Sequence, residues 1–309
     1  MKAKSMYPFV SVIVITYNAE KTIGTALNSL MNLDYPKHKY EIIVVDGNSK
    51  DRTLKTIRRY AVKCIIEKRK GVSIARNTGI RNAKGEIIAF CDADCEVDRR
   101  WLSFHVQEHL IDDRLAAAGG AVISPSDRCI MINARHCTQF GEFSICSPKR
   151  YVCLIPTCNI SFKKKILARI GPFDERLHAY EDSLLCWKIV RNGYKILFNP
   201  KIYVKHLYDT SNSYHLLWSF LEKQKLMGKS HYLVHLIDDT YPYRLPQNSM
   251  LAFLMLPMII LGRMYRQHLK MLKYSCKKSL PFGVNPYIIM GAVWWSLGYV
   301  AATLKQGYD

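Results

Sequence analysis

The segment Ile87-Ile88-Ala89-Phe90-Cys91-Asp92-Ala93-Asp94 sets the terms for the rest of the chain. An apolar run this short reads as a strand buried in a sheet. It stops at two carboxylates two positions apart, and at a strand end that spacing aims both side chains at one spot. Such a pair suits a hard divalent cation, Mg²⁺ or Mn²⁺, with the remaining positions left to water and substrate phosphates. Three further runs have the same form. Residues 9–15 are apolar and β-branched and lead into Thr16-Tyr17-Asn18; 40–45 stop at Asp46-Gly47-Asn48-Ser49; 62–66 lead into Lys68-Arg69-Lys70. Between them the spacing of apolar residues predicts helices over 19–32, 52–60 (with Asp51 as a cap) and 71–83. Strands apolar throughout, alternating with helices, describe a parallel sheet covered on both faces. Ligands of such sheets sit beyond the C-terminal strand ends. There the sequence gathers Thr16, Asn18, Asp46, the basic turn 68–70, Asp92 and Asp94.

No Gly-x-Gly-x-x-Gly follows the first run, which argues against a dinucleotide-type site, and the full glycine-rich spacing of a P-loop is absent. What gathers instead is an acid for a ribose or base, a basic turn for a diphosphate and a carboxylate pair for a metal. Lys plus Arg number 45 against 25 acids, a formal net charge of +20. That excess calls for a phosphorylated substrate, an anionic membrane surface or nucleic acid. No zinc-finger or helix-turn-helix spacing and no RNA-binding aromatic signature occurs, so nucleic acid is not the expected partner. Five cysteines crowd 129–158, but no Cys-x-x-Cys pair makes a zinc site, and the cysteines read mostly as reduced, buried, small hydrophobes, with a disulfide among these five as the alternative.

Taken in order, the blocks VSVIVITYNAEKTIGTALNSL, YEIIVVDGNSKDRT, GVSIARNTGIRNAKGEIIAFCDAD, CNISFKKKILARIGPFDE and YEDSLLCWKIVRNGYKI resemble family 2 glycosyltransferases, over roughly residues 8–210. The resemblance implies an α/β fold of GT-A type, Rossmann-like, with a mostly parallel central sheet flanked by helices, and transfer that inverts the sugar's configuration. It implies that Thr16, Tyr17 and Glu20 contact the nucleotide, that Asp46 bonds the base or ribose (an ordinary Asp-Gly turn is the alternative), and that Arg76 and Asn77 lie near the nucleotide. Arg69 or Lys70 would meet the diphosphate. Asp92 would lean toward the ribose or donor sugar, while Asp94 binds the metal, with His206 as a further ligand. Glu181-Asp182 would open a helix with Asp182 as general base, and Thr157, Asn159 and Glu181 would line the donor and acceptor pocket. Cys158 stands where small residues are commoner, which leaves the sugar preference open.

Beyond this block the pattern changes. Residues 124–150 have no clear periodicity and read as a variable insertion, whereas 214–236 read as a helix. From Thr240 to Tyr308 there is no acid, against eight Lys or Arg. A twelve-residue apolar run at 250–261 is broken by Pro257, and 287–304 carry no charge over eighteen residues; a span needs ~20. Arg263, Arg266, Lys270, Lys273 and Lys277 recur at helical spacing, which predicts a basic amphipathic helix over 263–280 lying on an anionic leaflet. A solvated helix face and a buried core helix are the alternatives for these segments. No cleavable leader is read in the first fifteen residues. The expectation is a catalytic domain, 1–212, at the cytosolic face of a membrane, with a helical attachment region, 213–309. It would transfer sugar from a UDP- or GDP-linked donor, with Mg²⁺ or Mn²⁺, to a hydroxyl of a lipid-linked glycan. The alternatives are transfer directly onto a polyprenyl phosphate, or a non-catalytic basic nucleotide- or nucleic-acid-binding protein.

Overall fold

The computed structural model describes residues 7–124, 130–208, 213–242, 244–274 and 285–305. In chain order the elements are β1 (Val10–Thr16), α1 (Ile23–Met31), β2 (Tyr40–Asp46), α2 (Thr53–Ile57), β3 (Lys63–Ile66), α3 (Val72–Asn82), β4 (Ile87–Asp92), β5 (Cys95–Val97), α4 (Trp101–Ile111), β6 (Leu115–Ile123), α5 (Ile130–Phe140), β7 (Arg150–Tyr151), β8 (Asn159–Lys163), α6 (Lys164–Ile170), α7 (Glu181–Arg191), β9 (Lys195–His206), α8 (Ser213–Ile237), α9 (Ser249–Leu254), α10 (Leu256–Tyr274) and α11 (Asn285–Lys305). They form two compact units. One comprises Met1–Pro125, Ile145–Arg176 and Glu181–Leu207; the other comprises Ser126–Ser144, Leu177–Tyr180 and Tyr208–Asp309.

The first unit is built on one sheet of order β3-β2-β1-β4-β8-β6-β9-β5, with β7 on β9. Strands β3, β2, β1 and β4 are parallel; β1, β2 and β4 are buried nearly throughout, in keeping with their apolar runs, and β3 is the exposed edge. Val12, Ile13, Val14, Ile43, Val44, Val45, Ile88 and Ala89 are fully buried. The register sets Thr16 beside Asp46 and Ile15 beside Asp92, so the polar strand ends share one edge. The helices over this half differ in what they bury. α1 turns Ile23, Ala26, Leu27 and Leu30 inward, but α3 turns in Ser73, Arg76, Asn77 and Thr78. Polar side chains are kept in such a position only where hydrogen bonds or ion pairs satisfy them.

The other half of the sheet is mixed. β8 lies antiparallel between β4 and β6, while β9 runs parallel to β6. Asn159 pins this insertion: its amide donates to the Ala121 and Ile202 carbonyls at 2.8 and 3.1 Å, and its oxygen accepts from Trp101 Nε1 at 2.8 Å. The parallel sheet expected from the alternation therefore holds for β1–β4, and the mixed part depends on long-range pairings.

Other differences are local. The helix expected over 52–60 is confined to α2, whose first turn is held by Asp51 accepting from Thr53 N–H at 3.0 Å. The segment 124–150, expected to lack regular structure, contains α5. Seven described cysteines are free and Cys146 is disulfide-bonded; Cys129 lies outside the described residues.

The second unit is helical. Tyr232, Ile259, Trp295 and Tyr299 form its core, with Trp295 and Tyr299 stacked at 5.8 Å. α8 and α11 approach to backbone contact. A methyl group on Gly228 would lie 1.9 Å from the Trp295 carbonyl oxygen, and one on Gly298 would lie 2.1 Å from that of Lys225. Pro286–Leu304 is the one described helix long and apolar enough to cross a membrane, and half of it is buried within the protein. Its partner α8 carries Glu222, Lys223, Lys225 and Lys229, so the pair is built as packed helices of a folded unit.

The apolar run 250–261 behaves in the opposite way. Met250, Leu254, Met258, Leu261, Tyr265 and Leu269 follow one another at steps of four and three, and are exposed by 72, 63, 67, 62, 66 and 44%. The basic stripe expected on this helix is not a single face. Arg263 stacks over the Trp295 ring at 3.9 Å, whereas Arg266 is exposed. Guanidinium–indole stacking outweighs solvation at that position. Lys277 and the rest of 275–280 lie outside the described residues.

The close approach of α8 and α11 generates a stability prediction. Gly298→Ala lowers the unfolding free energy by about 1–3 kcal/mol through overpacking. Gly262→Ala, in the open interior of α10 with nothing within 4 Å of the added methyl, raises it by about 0.5–1 kcal/mol. Chemical denaturation of the two variants beside the parent chain measures both signs.

Candidate active site

At the sheet edge, β1 ends in Thr16, which is buried and whose Oγ1 has no hydrogen-bond partner among the described residues. Tyr17 follows, exposed by 61%. Asn18 adopts a left-handed backbone, φ 48°, and reaches across to the next loop. Its N–H donates to Ser49 Oγ at 2.8 Å and its side-chain oxygen accepts from Lys50 N–H at 2.9 Å. Asp46 is fully buried and ties the same loop, accepting from Ser49 N–H at 2.8 Å and Ser49 Oγ–H at 2.7 Å. Glu20 braces the loop's far end by accepting from Arg52 N–H at 2.9 Å. Asp46 and Glu20 thus hold the loop 46–52 against the end of β1, beside the exposed Tyr17.

Along the same edge lies a buried cluster of charge. Arg76, on the inward face of α3, is 4% exposed. It is ion-paired to Glu181, the first residue of α7, and stands 3.8 Å from Asp92 at the end of β4. Burial alone would depress its pKa. The carboxylates of Glu181, Asp92 and Asp182 outweigh that and hold it above the ordinary arginine value. One guanidinium therefore links the end of β4 to the start of α7.

Asp182 sits in the first turn of α7, where the helix dipole favours a carboxylate. It accepts from Ser183 N–H at 2.7 Å and from the Thr157 backbone N–H. Burial first, and then the neighbouring Glu181, raise its pKa to about 6, against the lowering pull of Arg76 and these two amides. A carboxylate raised in this way is still ionised near neutrality and is a stronger base than a free aspartate.

The second Asp of the pair meets a different neighbour. Asp94 is half-exposed, and His206, at the end of β9, brings Nε2 to 3.6 Å from Asp94 Oδ2. Cys95 completes the group, with one donor atom from each of the three residues within 4.8 Å of the others. Carboxylate and imidazole suit a divalent transition ion such as Mn²⁺. Cys95 was missed in the sequence, where its position directly after Asp94 was the only signal.

Several expected residues serve the scaffold. Asn77 donates to the Phe173 carbonyl at 2.9 Å and to Glu175 at 3.1 Å, and accepts from Phe173 N–H at 3.0 Å, which clasps the 173–175 loop. Arg69 is 54% exposed and paired to Glu67 at 3.1 Å and Glu175 at 3.2 Å. Bonds from Arg69 and Thr78 pull the Glu67 carboxyl down to about 2. Asn159 spends its hydrogen bonds inside the sheet. Thr157 is buried, with its backbone on Asp182.

The architecture and the sequence blocks both have counterparts among known proteins. The model of Glycosyl transferase family 2 matches residues 11–170. Glycosyltransferase AglE of Haloferax volcanii is 27% identical over 244 residues, which cover 76% of each chain. A Methanococcus voltae protein, dolichyl N-acetyl-alpha-D-glucosaminyl phosphate 3-beta-D-2,3-diacetamido-2,3-dideoxy-beta-D-glucuronosyltransferase, is 34% identical over 126 residues, 37% of this chain and 39% of that one. Among solved structures, the mannosyltransferase PcManGT of Pyrobaculum calidifontis, in complex with GDP-Man and Mn²⁺, superposes with a TM-score of 0.58 at 24% identity, over 97% of this chain and 75% of its own. That likeness establishes a shared GT-A fold. The chain belongs to glycosyl transferase family 2 and is a glycosyltransferase.

Proposed function

We propose that this glycosyltransferase moves a sugar from a UDP- or GDP-linked donor to a hydroxyl of a lipid-linked glycan at the cytosolic face of a membrane, with inversion at the anomeric carbon. The observation that carries the reading is Arg76, which bridges Asp92 and Glu181 and so joins the strand-end carboxylates to Asp182 in one site.

Thr16 Oγ1 and the exposed ring of Tyr17 suit the nucleoside end of the donor. Asp182 accepts the proton of the acceptor hydroxyl as its oxygen attacks the anomeric carbon from the face opposite the nucleotide diphosphate. The bond from that carbon to the diphosphate oxygen breaks, and the electron pair leaves with the diphosphate. The proton then passes from Asp182 to water. Asp94 and His206 would hold a divalent ion, which when bound offsets the charge of the departing diphosphate. The Pyrobaculum neighbour, with GDP-Man and Mn²⁺, supports this choice of donor class and ion.

Two observations support the acceptor. The Methanococcus relative is named for transfer to a dolichyl-phosphate-linked sugar. The exposed apolar stripe of α9 and α10 stands in a region that carries eight basic residues and no acid from Thr240 to Tyr308. An exposed apolar face in a segment whose charges are all positive fits an anionic leaflet, and lipid contact contributes about 1 kcal/mol for each large side chain taken halfway out of water.

Transfer assays on purified protein, across UDP- and GDP-sugars with Mn²⁺ or Mg²⁺, test the chemistry. Asp182→Asn lowers kcat by about 10²–10⁴-fold. For the parent chain kcat/KM rises with pH through about 6: below that value Asp182 carries a proton and cannot accept another, and above it the base is free. Full activity of Asp182→Asn toward a polyprenyl phosphate would instead assign direct transfer to the lipid, because a phosphate oxygen needs no base.

Flotation with vesicles tests the membrane face. The parent chain binds vesicles containing phosphatidylglycerol more strongly than neutral ones. A chain carrying Leu254→Asp, Met258→Asp and Leu261→Asp, folded by circular dichroism, loses most of that binding. Equal binding by the two chains would place the contact elsewhere.

A further inference from the structure

We propose that Cys95 is a third protein ligand at the Asp94–His206 metal position, and that its thiolate gives this site a preference for thiophilic ions, Zn²⁺ or Cd²⁺, over Mg²⁺. The inference rests on the transferase reading only in taking the ion of that site as its starting point.

Strand pairing makes the placement unavoidable. Cys95 on β5 lies directly opposite His206 on antiparallel β9. Residues opposed in this way project to the same face with Cβ atoms about 5 Å apart. Asp94 precedes Cys95 in the chain, so its carboxylate falls between the two side chains. Its Oδ1 lies 3.9 Å from Cys95 Sγ, and its Oδ2 lies 3.6 Å from His206 Nε2. Ligand bonds of about 2.3 Å to sulfur and about 2.1 Å to oxygen and nitrogen, at tetrahedral angles, separate S from O by about 3.6 Å and N from O by about 3.4 Å. The two observed separations are a few tenths of an ångström wider, and the third, between Cys95 Sγ and the His206 ring, is within 4.8 Å, so binding draws the thiol and imidazole together by side-chain adjustment.

The donor set decides the preference. Carboxylate and imidazole alone leave Mg²⁺, Mn²⁺ and Zn²⁺ as candidates, but a thiolate shifts affinity toward the softer ions. On binding, a metal–sulfur bond forms and the thiol proton leaves to solvent. Cys95 is fully buried, so it is a ligand reached from the Asp94 side and not a surface thiol. Cys158, another fully enclosed thiol, lies against Cys95 and provides the control.

The test uses the full chain stripped of metal and titrated with Co²⁺ and with Cd²⁺. Co²⁺ bound to the parent chain gives a sulfur-to-metal charge-transfer band in the near ultraviolet. Cys95→Ser removes that band and weakens Cd²⁺ binding by at least about tenfold, the lower end of what losing even an outer partner of a metal site costs. Mg²⁺ affinity stays the same, and Cys158→Ser keeps the band. Cys95→Ala serves if the serine chain does not fold, and the band of the parent chain needs no variant. Co²⁺ bound to the parent chain without the band overturns this inference alone, as does a band that survives in Cys95→Ser. No Co²⁺ binding at all overturns it together with the metal-assisted reading.

Discussion

The buried guanidinium of Arg76 is the interaction on which the site depends. A cation 4% exposed is tolerated only where anions surround it. Here three do, one from the end of β4 and two from the start of α7. These elements are remote in sequence and have no backbone pairing with each other. The charge cluster supplies what hydrogen-bonded strands supply elsewhere: it holds the carboxylate at the end of β4 and those at the start of α7 around one guanidinium. It also tunes Asp182. Arg76 pulls the Asp182 pKa down while burial and Glu181 push it up, so the aspartate stays ionised near neutrality yet holds a proton better than a free carboxylate. The same arrangement explains why α3 turns polar residues inward. Breaking such a cluster by removing one partner costs about 3–5 kcal/mol, so structural and chemical demands on Arg76 cannot be separated.

The sheet handles the other end by register. β1, β2 and β4 stop level with one another, which puts Thr16, Asp46 and Asp92 along one edge. Past that edge the chain turns through Asp94 and returns as β5 against β9, which brings Cys95 and His206 together. Fixed backbone pairings, rather than flexible side chains, therefore determine which donor atoms converge.

Much of this was legible in the sequence and some was not, for identifiable reasons. Unbroken apolar runs gave β1, β2 and β4 to within a residue or two, because burial on both faces leaves little freedom in composition; the edge strand β3 is largely exposed and was marked by its β-branched residues. The site edge followed, since the polar residue ending each run must lie where the strands end. Asn159 and Asn77 looked like ligand contacts, but a sequence does not reveal which polar groups are already satisfied. Both amides are consumed by backbone partners tens of residues away. Cys95 was invisible for the same reason, since its neighbour His206 is set by a pairing across more than 100 residues. Arg263 reads in the sequence as part of a basic stripe on an anionic leaflet, because periodicity reports the direction of a side chain without naming what it meets, and here it meets Trp295.

α10 shows how two demands share one helix. Its inward side carries Arg263, which stacks on Trp295 and hydrogen-bonds Tyr180. Its outward side carries the exposed Met258, Leu261, Tyr265 and Leu269. Tyr180 has a left-handed backbone, φ 64°, a conformation that costs a tyrosine about 1–3 kcal/mol and persists only where contacts over-determine it. Arg263 and His231, whose ring centroid lies 5.3 Å from that of Tyr180, are those contacts. The next two residues in the chain are Glu181 and Asp182. The turn at Tyr180 is thus held by contacts from α8 and α10 within the helical unit. The packing of Arg263 and Ile259 inward fixes which of the helix's side chains are left outside.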